Sequence, residues 1–153
     1  MPVTGNTQLS SHDYWLQRWT TKDSPWTRSG IHRLLQDNAA AVLDGKREGT
    51  VFLPMCGNAG EIKWFYDHGF RVVGVEFLET VARSFFATHN LRMFEGCSAV
   101  NGCKILHTQD QMLSIYICDL YTFNKLPTER VAAPDSGALW GQLQDHKTRH
   151  HLC

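Results

Sequence analysis

The sequence predicts an α/β fold assembled on one strand–turn–helix–strand unit between Thr50 and Glu76. Three observations carry that expectation. Val51-Phe52-Leu53 and Arg71–Val75 are short apolar runs of the kind buried parallel strands show. Between them, Met55-Cys56-Gly57-Asn58-Ala59-Gly60 is a glycine turn that opens a helically spaced segment. An acid, Glu76, closes the second run. In such folds ligands bind at the carboxyl ends of the strands. The turn and the acid therefore face one crevice.

Taken in order, residues 1–10 are polar and expected to be flexible. Ser11-His12-Asp13 can cap a short helix carrying Tyr14, Trp15, Leu16 and Trp19. A loop from Thr20 to Pro25 leads to Trp26. Three tryptophans so close together fit two readings, core packing or an exposed aromatic lid. Ile31 to Asp44 reads as one amphipathic helix, with Ile31, Leu34, Leu35, Val42 and Leu43 inward and Gly45 as its stop. His32 on it reads as a surface or packed side chain. Lys46–Gly49 is a solvated turn.

Within the central unit, Pro54 stops the first strand, and Ile62, Phe65 and Tyr66 share one helix side before Gly69 ends the helix. Cys56 has no base near it in sequence, so it reads as a small packing residue and not as a nucleophile. Phe77 to Asn90 is the next helix, with Val81, Ala82, Phe85 and Phe86 in the core. Glu95 to Gly102 reads as a loop. Lys104–His107 and Ser114–Cys118 read as strands joined by a polar turn, with Asp119 and Leu120 following.

Composition narrows the function classes. The chain has 153 residues, a one-domain length, with 42% apolar residues. Fifteen basic and fifteen acidic residues cancel, which gives no general attraction to nucleic acid or an anionic membrane. No apolar run reaches membrane-spanning length. The five cysteines and the lack of a signal-peptide pattern at the N-terminus point to free thiols in the cytoplasm. Cys97 and Cys103 lack a matching second pair, and His146, His150, His151 and Cys153 lack paired spacing, so no metal site is expected.

The turn also selects a ligand. A dinucleotide fingerprint wants glycine where this chain has Met55, so the turn cradles a pyrophosphate poorly. A nucleoside without phosphates suits it better, and S-adenosyl-L-methionine is the commonest such cofactor. Glu76 stands where an acid accepts hydrogen bonds from both ribose hydroxyls. Asp119 is placed to hydrogen-bond the adenine amino group.

Pro54-Met55-Cys56-Gly57, Glu61-Ile62-Lys63-Trp64 and Val72-Val73-Gly74-Val75-Glu76, with Tyr14–Trp19 upstream and Phe85-Phe86 downstream, resemble the thiopurine S-methyltransferase family. The likeness fades after about Leu126. It implies a partial Rossmann-like class I methyltransferase fold, the N-terminal half of the sheet with flanking helices. It implies an S-adenosylmethionine-dependent enzyme that methylates sulfur on aromatic or heterocyclic thiols. By the resemblance, Trp15 and Trp19 belong to a lid over the cofactor and Trp26 lies beside the substrate. Met55, Cys56 and Gly57 line the methionine part, Phe77 packs near the adenine, and Asp119 and Leu120 frame it. The family often has serine where this chain has Asp119.

Residues 11–127 thus read as an incomplete methyltransferase-like domain and 128–153 as a divergent tail. The family continues with a strand and a Trp-Asp-Arg-Gly-Ala-Leu motif, whose nearest match here is Pro134-Asp135-Ser136-Gly137-Ala138-Leu139. The expectation is a truncated isoform with an exposed sheet edge and marginal stability. The alternative to an active enzyme is an inactive isoform that binds cofactor weakly or pairs with a full-length relative.

Overall fold

The computed structural model describes residues 9–99 and 102–123. Residues 1–8 and all of the 128–153 segment, with the Pro134–Leu139 motif and the tail histidines, lie outside these residues.

Helix α1 spans Ser11–Thr20 and is capped by Ser10, whose hydroxyl oxygen accepts the Asp13 N–H at 3.1 Å. The single helix expected over Ile31–Asp44 is two short ones, α2 (Arg33–Asp37) and α3 (Ala39–Leu43). Asn38 makes the break. Its backbone N–H and its side-chain amide both donate to the Leu34 carbonyl, which satisfies that acceptor locally and ends the helix. The expected inward face is broken with it. Leu35 and Leu43 pack against the core, whereas Leu34 and Val42 are exposed.

Strand β1 (Thr50–Leu53), helix α4 (Gly60–Asp67) and strand β2 (Arg71–Glu76) form the expected unit, with β1 and β2 parallel and Val51 opposite Val72. Helix α5 (Glu79–Thr88) buries Val81, Ala82, Phe85 and Phe86, one side at helical spacing. Ala82, Phe85 and Phe86 join Ile62 and Phe65 of α4 and Val72 of β2 in the main core. Losing either phenylalanine ring there would cost about 3–5 kcal/mol.

The stretch expected as a loop over Glu95–Gly102 instead begins with strand β3 (Phe94–Cys97), antiparallel to β4 (Lys104–His107). Four residues including a glycine and a glutamate carry little strand propensity. The partner β4 supplies the ladder that holds them. Strand β5 (Leu113–Ile117) follows through a turn fixed by Asp110, whose Oδ1 accepts the Thr108 hydroxyl at 2.6 Å and the Met112 N–H at 3.0 Å.

The five strands run in the order β1-β2-β5-β4-β3, with β2 and β5 parallel and β5 and β4 antiparallel. Among the described residues β1 pairs only with β2, so its other edge is open. Of the cysteines, Cys56, Cys103 and Cys118 are free thiols, but Cys97 is disulfide-bonded, against the expectation that all are free. No helix among the described residues is long and apolar enough to cross a membrane.

Candidate functional site

Parallel pairing brings the carboxyl ends of β1, β2 and β5 to one edge of the sheet. The turn after β1, Glu76 with Phe77 after β2, and Asp119 with Leu120 after β5 all emerge there and line one cleft of about 520 Å³. That volume suits a small organic ligand.

The turn and the acid are directly joined. Glu76 is 7% exposed. Its Oε2 accepts the Gly57 N–H at 2.9 Å, and its Oε1 accepts the Leu78 N–H at 2.8 Å. Each oxygen keeps a further lone pair, so the carboxylate can still accept two hydroxyl donors. Burial pushes the Glu76 carboxyl above its ordinary range, and the N–H groups of Leu78, Gly57 and Phe77 pull it back.

Gly57 is required where it stands. Its φ is +54°, and an added Cβ would come within 3.3 Å of the Trp19 ring. Met55 also has a positive φ, +48°, at the rim. Gly60 allows a different approach, since a Cβ there would come within 2.4 Å of the Gly30 carbonyl oxygen. This contact, with the Glu61 carboxylate accepting the His32 N–H at 2.6 Å, ties the segment from Thr27 to His32 to the start of α4. Cys56 is buried against the turn, and burial followed by the nearby Glu76 charge raises its thiol far above the ordinary range. Its Sγ donates to the Gly57 carbonyl at 3.7 Å and lies close against Gly74, so the thiol fills the turn as a packing group.

No residue of α1 is buried, so its tryptophans are not core. Trp15 and Trp19 each meet Trp26 edge to face, at centroid distances of 5.8 and 6.1 Å. The Arg18 guanidinium sits over Trp26 at 5.1 Å and donates to the Tyr14 hydroxyl at 3.0 Å. His12 packs edge-on against Phe77 at 5.3 Å, which carries α1 across to β2. Trp15 and Trp26 remain 42% and 44% exposed, with side chains lining the cleft.

The structure therefore brings all ten residues singled out from the sequence to one cleft: Trp15, Trp19, Trp26, Met55, Cys56, Gly57, Glu76, Phe77, Asp119 and Leu120. Asp119 caps the 3₁₀ turn Leu120–Thr122, its Oδ1 accepting the Tyr121 N–H at 2.9 Å. Sequence reasoning missed Arg28, His32, Glu61 and Cys118, which also line it. His32 is the N-cap of α2, its Nδ1 accepting the Leu34 N–H at 3.1 Å, and not a residue on a helix face. Its position before an apolar helical run was the available signal. Among the described residues no cluster of three His, Cys, Asp or Glu side chains could hold a metal ion.

Comparison with known proteins gives one family. The sequence model of Thiopurine S-methyltransferase (TPMT) matches residues 10–135. The chain is 37% identical over 127 residues to a probable thiopurine S-methyltransferase of Danio rerio, covering 82% of this chain and 53% of that protein. It is 36% identical over 120 residues to thiopurine S-methyltransferase of Mus musculus, covering 78% and 50%. It is also 36% identical over 110 residues to that of Rattus norvegicus, covering 71% and 46%. The chain spans about half the length of the curated relatives it matches.

Proposed function

Because the chain belongs to the thiopurine S-methyltransferase family, we propose that its cleft binds S-adenosyl-L-methionine and serves methyl transfer to sulfur on an aromatic or heterocyclic thiol. One observation carries the reading. A buried carboxylate with lone pairs to spare, a phosphate-poor turn and a tryptophan cluster converge on one cavity.

The donor set fits the cofactor. Glu76 is suited to the two ribose hydroxyls, as a charged acceptor held in place by Gly57 and Leu78. Phe77 and Leu120 offer apolar surface to the adenine, and the free oxygen of Asp119 suits its amino group. The backbone of Met55, Cys56 and Gly57 takes the methionine part. The cofactor supplies an electrophilic methyl group on a positively charged sulfur. The faces of Trp15 and Trp19 attract such a charge, and Trp26 offers a stacking surface to a flat substrate. A thiol on an electron-poor ring is ionised near neutral pH, so this reading needs no general base. The protein contributes position and exclusion of water. The proposed setting is the cytoplasm; the free thiols of Cys56, Cys103 and Cys118 support it and the Cys97 disulfide counts against it.

A second reading is cofactor binding without turnover, by this chain alone or paired with a longer relative. The outer edge of β1, which pairs with no strand among the described residues, favours it. Titration calorimetry with S-adenosylhomocysteine, then a methyl-transfer assay on an aromatic thiol, separates the two. Binding with turnover supports the enzyme, and binding alone supports the second reading. The absence of binding overturns both.

A further inference from the structure

The β4–β5 ladder places two thiols opposite each other beside the cleft. Its last pair is Lys104 with Ile117, so one step further sets Cys103 against Cys118. Neither backbone spends its groups on the other. Cys118 N–H donates to the Glu76 carbonyl at 3.0 Å, and the Cys103 carbonyl accepts the Ser98 N–H at 2.8 Å. This is a non-hydrogen-bonded antiparallel pair, the type whose Cα atoms lie closest, about 4.5 Å apart. That separation lies within the roughly 4.4–6.8 Å that a disulfide spans. The side chains share one face, packed in one cluster with Val73, Val75 and Tyr116. The Cys118 thiol also hydrogen-bonds toward Cys103. Cys118 lines the cleft, whereas Cys103 is buried behind it.

We propose that Cys103 and Cys118 form an oxidisable dithiol, a modification site whose co-reactant is a low-molecular-weight disulfide entering through the cleft. In the first step the Cys118 thiolate attacks one sulfur of that disulfide. Its S–S bond breaks, a mixed disulfide forms and one thiolate leaves. Cys103 then attacks the Cys118 sulfur, closing the Cys103–Cys118 bond and expelling the second thiolate. The two cysteines are oxidised by two electrons and the small disulfide is reduced to two thiols. These take up the two protons the cysteines release. The bond would fasten the strand end from which Asp119 and Leu120 enter the cleft. The proposal stands independently of the cofactor reading.

Burial and the neighbouring Cys103 push the Cys118 thiol up to about 12, and burial raises Cys103 as well. Thiolate is therefore scarce near neutral pH, and the reaction accelerates as pH rises.

The test treats the reduced full chain with oxidised glutathione, blocks remaining thiols and maps tryptic peptides. Peptide Met93–Lys104 carries Cys97 as well as Cys103, and Ile105–Lys125 carries Cys118. The map is therefore made in Cys97→Ser, with fragment-ion assignment in the unsubstituted chain as a measurement that needs no variant. The expected result is the two peptides joined, lighter by two hydrogens, and no joined species when Cys103→Ser is made alone, in the chain that keeps Cys97. Glutathione adducts without the link, no modification, or a link that persists in the Cys103→Ser variant would each overturn the proposal.

Discussion

The backbone N–H of Gly57 donates to Oε2 of Glu76 at 2.9 Å, across nineteen positions of sequence. The bond welds the turn after β1 to the acid at the end of β2. The same residue carries a positive φ and lies against Trp19. Turn, acid and aromatic cluster are thus one mechanical unit, and the predictions below press on its parts.

Two neighbouring turn positions carry left-handed backbone with different residues. Gly57→Ala places a Cβ against Trp19 and in a backbone region that costs about 1–2 kcal/mol for an L-residue. Met55 already bears that strain, with a side chain 74% exposed. Met55→Gly should relieve it, less the extra chain entropy glycine loses, for a net gain of about 0.5–1 kcal/mol. Urea unfolding checks both signs. Stabilisation by Gly57→Ala or destabilisation by Met55→Gly contradicts the account.

The burial of Glu76 predicts a pH dependence of stability. Its carboxyl holds a proton to higher pH in the folded chain than in the unfolded one. Between the ordinary value of 4.5 and the raised native value, the folded state binds more protons, so stability falls as pH climbs through that window. Glu79 acts oppositely. Lys104, and then Arg83, hold it below the ordinary range, and its contribution is lost as pH falls. Subtracting the stability of Glu76→Gln from that of the natural chain removes the Glu79 part. The difference should decline as pH rises above 4.5. A difference that grows with pH refutes the assignment.

The proposed function divides the tryptophans by role. Trp26→Phe keeps an aromatic ring against Trp15 and Trp19. If Trp26 serves the substrate, the change raises KM for an aromatic thiol up to about tenfold, for a stacking loss of about 0.5–1.5 kcal/mol. S-adenosylhomocysteine affinity should stay within about twofold. Equal losses for both ligands would place Trp26 with the cofactor instead.

What the sequence showed and what it hid divide along one line. The β1–α4–β2 unit and Glu76 were legible because their signals are local: an apolar run, a glycine turn, helical spacing, then an acid. The strand-end part of the cleft followed, since topology brings strand ends together, whereas Trp15, Trp19 and Trp26 were placed by the family resemblance. Strand β3 was hidden because Phe94–Cys97 is held by its partner β4 and not by its own propensity. The α2–α3 break was hidden because Asn38 interrupts an unbroken apolar period with two hydrogen bonds to one carbonyl. His32 and Arg28 reach the cleft through a loop whose course depends on the Gly30–Gly60 approach, which no spacing encodes. The Cys103–Cys118 pairing depends on strand register, which a sequence leaves open.

The central claim is that the Glu76 carboxylate grips a ribose, and Glu76→Gln tests it most directly. The amide keeps the shape and one acceptor but loses the charge, a change of about 2 kcal/mol for hydrogen bonds to a charged group. Calorimetric titration with S-adenosylhomocysteine, on samples with matched circular dichroism, should show affinity falling roughly thirtyfold. Unchanged affinity in a folded Glu76→Gln sample would contradict the account.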